Sequence, residues 1–325
     1  MSESPIICFT PDRNFFPAAV FAAQRLLTHG LARDITVAIV CAPEDVDDAA
    51  LRGADPRIVV IRHPFALPGE LSLSQLPLGR HVTAAAWRRL LLPHVLPPGF
   101  GRIVYLDCDT LAVQPGTEQL LALDLAGLPF AAALDMILLK DFEDGPLTAQ
   151  FRAYRAELGF APETPYFNSG VLVIDRRRWL DRRVSERAIA FARSHPQSCR
   201  FHDQSALNAV TRGEWAVLSP RFNFMGDFLL LDVLPVIDPV LLHFVNDPKP
   251  WQRERWSGPG WMQSQYDTPP AAIPAGGAEL SPAFQQFRQR LLAFLGTQRF
   301  VDGFRLDGLT PAIVAAPAPP QPRIR

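Results

Sequence analysis

Tyr105-Leu106-Asp107-Cys108-Asp109-Thr110 follows directly on a β-rich run, Arg102 to Leu106, and brings two carboxylates to the point where the chain must turn. On a strand, residues i and i+2 project from one face, so this spacing sets Asp107 and Asp109 side by side. Neighbouring carboxylates repel, and a cation relieves the repulsion. Hard oxygen ligands suit Mg²⁺ or Mn²⁺, which keep positions open for phosphate oxygens. A metal-assisted reaction on a phosphate-bearing substrate is one reading of the stretch. A strand ending in a solvated acidic turn is the other, and these six residues leave both open.

Outward from this stretch, short β-branched runs alternate with helix-length amphipathic segments, the pattern of an α/β sheet with helices on both faces. Strands are predicted at Ile6–Phe9, Ile35–Cys41, Arg57–Ile61, Arg102–Leu106, Phe130–Leu134, Val171–Asp175, Trp215–Leu218 and Val240–Phe244. Helices are predicted at Phe16–His29, Thr83–Leu96, Leu147–Glu157, Glu186–Arg193 and Gln204–Thr211. Such sheets bind ligands beyond the carboxyl ends of their strands. Thr10-Pro11-Asp12, Asp107-Cys108-Asp109, Asp135 and His243 all fall at or just past such ends. No GxGxxG follows the first strand, which speaks against a dinucleotide-binding dehydrogenase.

Composition narrows the classes further. With 325 residues, 48% of them hydrophobic, the chain can bury a sizeable core, and a net charge of -1 offers no electrostatic case for nucleic acid. The start, Met1-Ser2-Glu3-Ser4-Pro5, lacks the positive region of a signal peptide, and no stretch approaches the roughly 18 apolar residues of a spanning helix. Cys8, Cys41, Cys108 and Cys199 have no metal-ligand or CxxC spacing. They read as small buried residues in a reducing compartment, so a cytoplasmic protein is expected.

Three more blocks lie downstream: Tyr166-Phe167-Asn168-Ser169-Gly170-Val171-Leu172-Val173-Ile174, Asp203-Gln204-Ser205-Ala206-Leu207-Asn208, and His243-Phe244-Val245-Asn246-Asp247-Pro248-Lys249-Pro250-Trp251. In this order, together with the YLDCDT stretch, they resemble glycosyltransferase family 8, which includes bacterial lipopolysaccharide galactosyl- and glucosyltransferases and glycogenin. Arg221-Phe222-Asn223-Phe224-Met225 is also similar to the lipopolysaccharide galactosyltransferases. The resemblance implies a GT-A type, Rossmann-like mixed sheet flanked by helices. It implies a retaining transfer of a hexose, galactose or glucose, from a UDP-sugar to a hydroxyl of a glycan or lipid-linked glycan. Lipopolysaccharide or another cell-surface glycan is the implied product, with Mn²⁺ or Mg²⁺ stabilising the UDP leaving group.

Carried over residue by residue, the resemblance assigns the metal to Asp107, Asp109 and His243. It sets Lys249 and the Asn246 turn against the diphosphate, with Cys108 between the two aspartates in the same donor site. Asn246 stands where the family commonly has glycine. Arg89 matches an arginine reaching the donor, with the adjacent Arg88 leaving the register open by one. Thr10, Asp12, Asn14 and Phe15 match positions that hold uridine. Asn168, Asp203 and Gln204 match residues around the transferred sugar, and Asp135 one near the acceptor and donor hydroxyls. Plainer readings stand beside these: a core histidine at 243, a solvated loop lysine at 249, a surface arginine at 89, and helix caps at Asp12 and Asp203.

Two other functions compete. The strand ending in Asp107-Cys108-Asp109-Thr110-Leu111 also fits the nucleophile motif of haloacid-dehalogenase-type phosphatases, with Asp107 attacking phosphorus. That chemistry needs a later lysine followed by paired acids, and the chain has only Lys140 and Lys249. A non-catalytic UDP-sugar-binding protein is the third reading. The expected organisation is a catalytic domain over 1–260, a C-terminal extension with an amphipathic helix over 261–310, and a disordered Pro/Ala-rich tail over 311–325. In that helix Phe284, Phe287, Leu291 and Leu295 share one face with Arg288 and Arg290 nearby. Packing on its own domain is the expectation, and peripheral contact with the inner face of a membrane is the alternative.

Overall fold

The computed structural model describes residues 3–77, 84–137, 146–161, 164–268, 270–274, 280–298 and 300–301. The strands are β1 (Ser4–Phe9), β2 (Thr36–Cys41), β3 (Ile58–Arg62), β4 (Phe100–Leu106), β5 (Thr110–Ala112), β6 (Phe130–Leu134), β7 (Phe167–Asp175), β8 (Ala216–Leu218), β9 (Phe224–Met225) and β10 (Leu241–His243). Seven form one sheet in the order β3-β2-β1-β4-β7-β6-β8, and the other three form a small sheet, β5-β10-β9. In the large sheet β7 runs antiparallel to both its neighbours, β4 and β6, and every other pairing is parallel.

Strand alternation divides the interior into two cores. Ile6, Cys8, Ile103 and Tyr105 point into one, with the helices Pro146–Glu157, Val184–Ser194 and His202–Val210 packed above them. Ile7, Phe9, Val104 and Leu106 point into the other, covered by Phe16–Thr28. Burial on both faces explains why these strands read as unbroken apolar runs. All four cysteines are buried and unpaired, as expected from their spacing.

The predicted strands all form, with three differences that bear on the site. First, β7 begins at Phe167, four residues before the predicted Val171, and so puts Asn168, Ser169 and Gly170 on that strand just past the end of β4, where the Gly170 carbonyl accepts the Asp107 amide. Second, β4 stops at Leu106, so Asp107 and Asp109 lie on the turn beyond it and not on a continuing strand. The turn is closed by the amide of Thr110 and by its hydroxyl, both donating to the Asp107 carbonyl. Their adjacency is therefore a property of the turn, not of strand periodicity. Third, the helix expected over Thr83–Leu96 is broken into Ala85–Arg88, a 3₁₀ turn Arg89–Leu91 and Leu92–Val95. Pro93 has no amide hydrogen to offer the Arg89 carbonyl and its ring crowds it, so the helix tightens there. Thr83 itself, like Lys140 and the tail from 311, lies outside the described residues.

β5, β9 and the short helix Arg176–Asp181 were not predicted; each is too brief to show a period. The C-terminal helix, Pro282–Thr297, turns Phe287, Leu291, Leu292 and Leu295 into the core and leaves Phe284 exposed. Among the described residues no helix is long and apolar enough to cross a membrane.

Candidate active site

At the carboxyl end of β4 the two aspartates divide their oxygens in the same way. Asp107 gives Oδ1 to the Arg89 guanidinium at 3.0 Å and to the Tyr105 hydroxyl. Its Oδ2 faces His243 Nε2 at 3.7 Å. Asp109 gives Oδ2 to Lys249 Nζ at 2.7 Å and turns Oδ1 to the same His243 Nε2 at 3.3 Å. Asp107, Asp109 and His243 thus offer one ligand atom each within 4.8 Å of one another. β10 carries His243 here because it pairs antiparallel with β5, the strand that leaves the aspartate turn.

Room for this cluster comes from Gly170. A Cβ there would lie 2.2 Å from His243 Cε1 and 2.8 Å from Asp107 Oδ2. The glycine is held in place because its carbonyl accepts the Asp107 amide at 2.7 Å. Two carboxylate oxygens and an imidazole nitrogen gathered this closely suit a hard divalent cation.

Lys249 is not the solvated loop lysine that its position in a loop allows. It is 8% exposed, and its ammonium also donates to the Phe244 carbonyl at 2.6 Å. Burial works against ionisation of Asp109, but Lys249 and then His243 outweigh it and hold that carboxyl below the usual range. Between the two residues, Asn246 is exposed and does not adopt the positive φ for which glycine is favoured.

Arg89, not Arg88, reaches Asp107, with its Nη2 3.0 Å from Oδ1. Its Nε pairs with Asp203 Oδ2 at 3.1 Å, it donates to the Ser169 carbonyl at 2.9 Å, and it stacks over Tyr105. Burial opposes its charge, yet Asp107 and Asp203 hold the guanidinium protonated, above its ordinary value. Arg88 instead donates to the Pro11 carbonyl at 2.8 Å and pairs with Asp45. A surface arginine is excluded at 89, which is 6% exposed.

Next to this cluster lies a second, uncharged-donor network. Asp135 Oδ2 accepts from both Asn168 Nδ2 and Gln204 Nε2, each at 2.9 Å. Gln204 Oε1 takes the Ser169 amide at 3.0 Å, so both ends of that side chain are engaged. Asp203 accepts from the Ser169 hydroxyl and is pushed up to about 6 by burial, against the pull of Arg89. It lies within the first turn of His202–Val210, whose N-cap is Phe201, so the capping role considered for Asp203 does not hold.

The loop after β1 stands apart from this network. Thr10 is buried with its hydroxyl unpartnered. Asp12 accepts the Phe15 amide at 3.0 Å, closing a turn just before the helix that starts at Phe16. Asn14 is exposed, and Cys108 is buried between the aspartates. Phe15 meets Trp251 edge to face at 5.9 Å, which brings this loop against the segment that follows Lys249. Sequence reasoning passed over four residues here: Ser169, Gly170, Tyr105 and Asn223. Asn223 is fully buried between His243 Nδ1, at 2.8 Å, and Asn168 Oδ1, at 3.0 Å. Only its place in the Arg221–Met225 block hinted at it.

The sequence profile of Glycosyl transferase family 8 matches residues 6–255. Over 186 residues the chain is 29% identical to general stress protein A of Bacillus subtilis (strain 168), covering 53% of this chain and 60% of that protein. Over 190 residues it is 27% identical to the lipopolysaccharide 1,2-glucosyltransferase of Escherichia coli (strain K12), covering 56% of this chain and 53% of that one. These matches thus take in little more than half the length of either relative. Among solved structures, the galactosyltransferase LgtC in complex with donor and acceptor sugar analogs superposes with a TM-score of 0.64 at 21% identity. That alignment covers 83% of this chain and 97% of LgtC. The bifunctional glycosyltransferase WbbM gives 0.57 at 18% identity, over 77% of this chain and 47% of WbbM. At these identities the likeness to the solved structures is one of fold.

Proposed function

Because the chain belongs to glycosyltransferase family 8, we propose that it moves a hexose, galactose or glucose, from a UDP-sugar to a hydroxyl of a glycan or lipid-linked glycan acceptor, with retention of anomeric configuration. Similarity to a lipopolysaccharide 1,2-glucosyltransferase supports an acceptor in lipopolysaccharide or another cell-surface glycan. Residues 1–260 form the catalytic domain in this reading, 261–310 an extension and 311–325 a tail. Action at the cytoplasmic face, on a soluble or membrane-held acceptor, fits a donor made in the cytoplasm.

The observation that carries the proposal is the convergence of Asp107, Asp109 and His243 beyond β4, with one ligand atom of each within 4.8 Å of the others. These three residues hold Mn²⁺ or Mg²⁺, which when bound stabilises the negative charge that develops on the UDP leaving group. Lys249 adds a compact positive charge for the diphosphate, and Arg89 fixes Asp107 while remaining charged itself. Thr10, Asp12, Asn14 and Phe15 face the nucleoside, and Cys108 and Asn246 line the diphosphate turns. Asn168, Asp135, Asp203 and Gln204 border the sugar. Of these, Gln204 is a poor nucleophile, since its amide has both ends engaged. Same-face attack by the acceptor, with the departing phosphate taking its proton, accounts for retention without a covalent intermediate.

Family membership displaces the phosphatase reading. Asp107, its required nucleophile, has one oxygen tied up by Arg89 and Tyr105. A panel of UDP-sugars assayed for Mn²⁺-dependent donor hydrolysis, with Asp109→Asn as control, tests the proposal. One hexose donor is expected to turn over in the parent and to slow on the order of 10²–10³-fold in the variant. UDP binding without hydrolysis or transfer of any donor would point to a binding protein instead. A β-linked product from an α-linked donor would overturn the mechanism.

A further inference from the structure

A backbone amide has no choice of role: it donates. The Gly170 amide meets the side-chain oxygen of Asn168 at 2.9 Å, so the atom of Asn168 at that position must be its carbonyl oxygen. The other end of Asn168 then presents its NH₂, and it does so to Asp135 Oδ2 at 2.9 Å, where only a donor is tolerated. Asn168 Oδ1 also meets the side chain of Asn223 at 3.0 Å, so that contact must come from the Asn223 NH₂. What remains of Asn223 is its oxygen, which lies 2.8 Å from His243 Nδ1. An oxygen acceptor there requires the proton to be on Nδ1.

We infer that the Gly170 amide, acting through Asn168 and Asn223, fixes a proton of His243 on Nδ1 and so makes Nε2 the nitrogen that can turn its lone pair to a metal, with Asn223 as the positioning residue. Nε2 is the nitrogen that faces Asp109 Oδ1 at 3.3 Å and Asp107 Oδ2 at 3.7 Å. Asn223 is 0%, His243 2% and Asn168 6% exposed, so water has little access to substitute for a lost partner. Turning Asn168 over breaks three contacts at once and turning Asn223 over breaks two, and each sets like against like. The inference rests on the proposed metal site and adds a residue that touches neither metal nor substrate. It also joins the metal side of the cleft to the sugar side, because Asn168 holds Asp135 with the NH₂ that this arrangement leaves over.

Protein labelled with ¹⁵N-histidine, saturated with Mg²⁺ and UDP, tests this directly through long-range ¹H–¹⁵N correlations. The expected pattern for His243, assigned by its loss in His243→Gln, is a protonated Nδ1, with Nε2 bare where it holds the metal; an unprotonated Nδ1 would overturn the inference. Two variants then separate positioning from mere packing. Asn223→Leu keeps the size and loses both contacts, so Mn²⁺ affinity measured in the presence of UDP should fall about 10–100-fold. Asn223→Asp keeps an acceptor for Nδ1 but opposes Asn168 Oδ1 with a second acceptor. It should retain near-parental Mn²⁺ affinity while sugar transfer falls. Parental Mn²⁺ affinity in Asn223→Leu, or equal losses in both variants, would refute the role of Asn223 alone. A parent protein that bound no Mn²⁺ with UDP would remove the metal site and this inference together. If Asn223→Leu does not fold, the parent spectrum and Asn223→Asp still decide.

Discussion

Replacing Gly170 with alanine adds one methyl group at the narrowest point of the cleft. That carbon would sit 2.2 Å from His243 Cε1, where ordinary contact begins at about 3.4 Å, so the ring would have to retreat by about 1.2 Å. Movement of the glycine is resisted by its own two hydrogen bonds, the carbonyl to the Asp107 amide and the amide to Asn168 Oδ1, and by Val171, the next residue, which is paired with β4. Nor can the imidazole slide freely, since it is 2% exposed and its Nδ1 sits 2.8 Å from Asn223. A shift of that size stretches this bond beyond hydrogen-bonding distance and takes Nε2 off the aspartates. Overpacking of this kind costs about 1–3 kcal/mol, and displacing a metal ligand's support lowers affinity about 10–100-fold. Calorimetric titration of Mn²⁺ in the presence of UDP, beside a chemical denaturation curve, measures both. A Gly170→Ala protein with parental Mn²⁺ affinity and parental stability would show that the cleft is not held as described.

Two further perturbations probe charge. Lys249→Ala leaves Asp109 buried without its closest cation, which should cost about 3–5 kcal/mol, seen as a melting temperature lower by roughly 4–7 °C for a chain of this size; a change under about 1 °C would return Lys249 to the role of a solvated loop residue. Glu214 is held below its ordinary value of 4.5 by hydrogen bonds from Arg187, with Arg182 assisting. A depressed carboxyl contributes stability above the unfolded value and loses it as pH falls, so the parent should weaken on acidification from about pH 5 more than Glu214→Gln does; identical denaturation midpoints across pH 3–6 would contradict this.

Much of the site was legible because its signals are local. The alternation that buries Ile6 and Cys8 on one face and Ile7 and Phe9 on the other is written into consecutive residues, as is the Asp107-Cys108-Asp109 spacing. Blocks with a recognisable order located Asn168, Asp203, Gln204, His243 and Lys249 before any contact was known. Pro93 was equally visible, yet its effect on the helix around Arg89 was missed because the apolar pattern on either side runs straight through it.

What the sequence by itself determined is therefore the α/β class, the strands and the chemical inventory of the cleft, since these follow from backbone period and residue type. Only the tertiary structure decided the partners. It chose Arg89 over Arg88 by the turn the broken helix makes, buried Lys249 against a carboxylate 140 positions away, and drew Asn223 between His243 and Asn168. Burial and hydrogen-bond pairing are set by which distant segments meet. No local pattern distinguishes an asparagine that will hold a histidine from one that will face water.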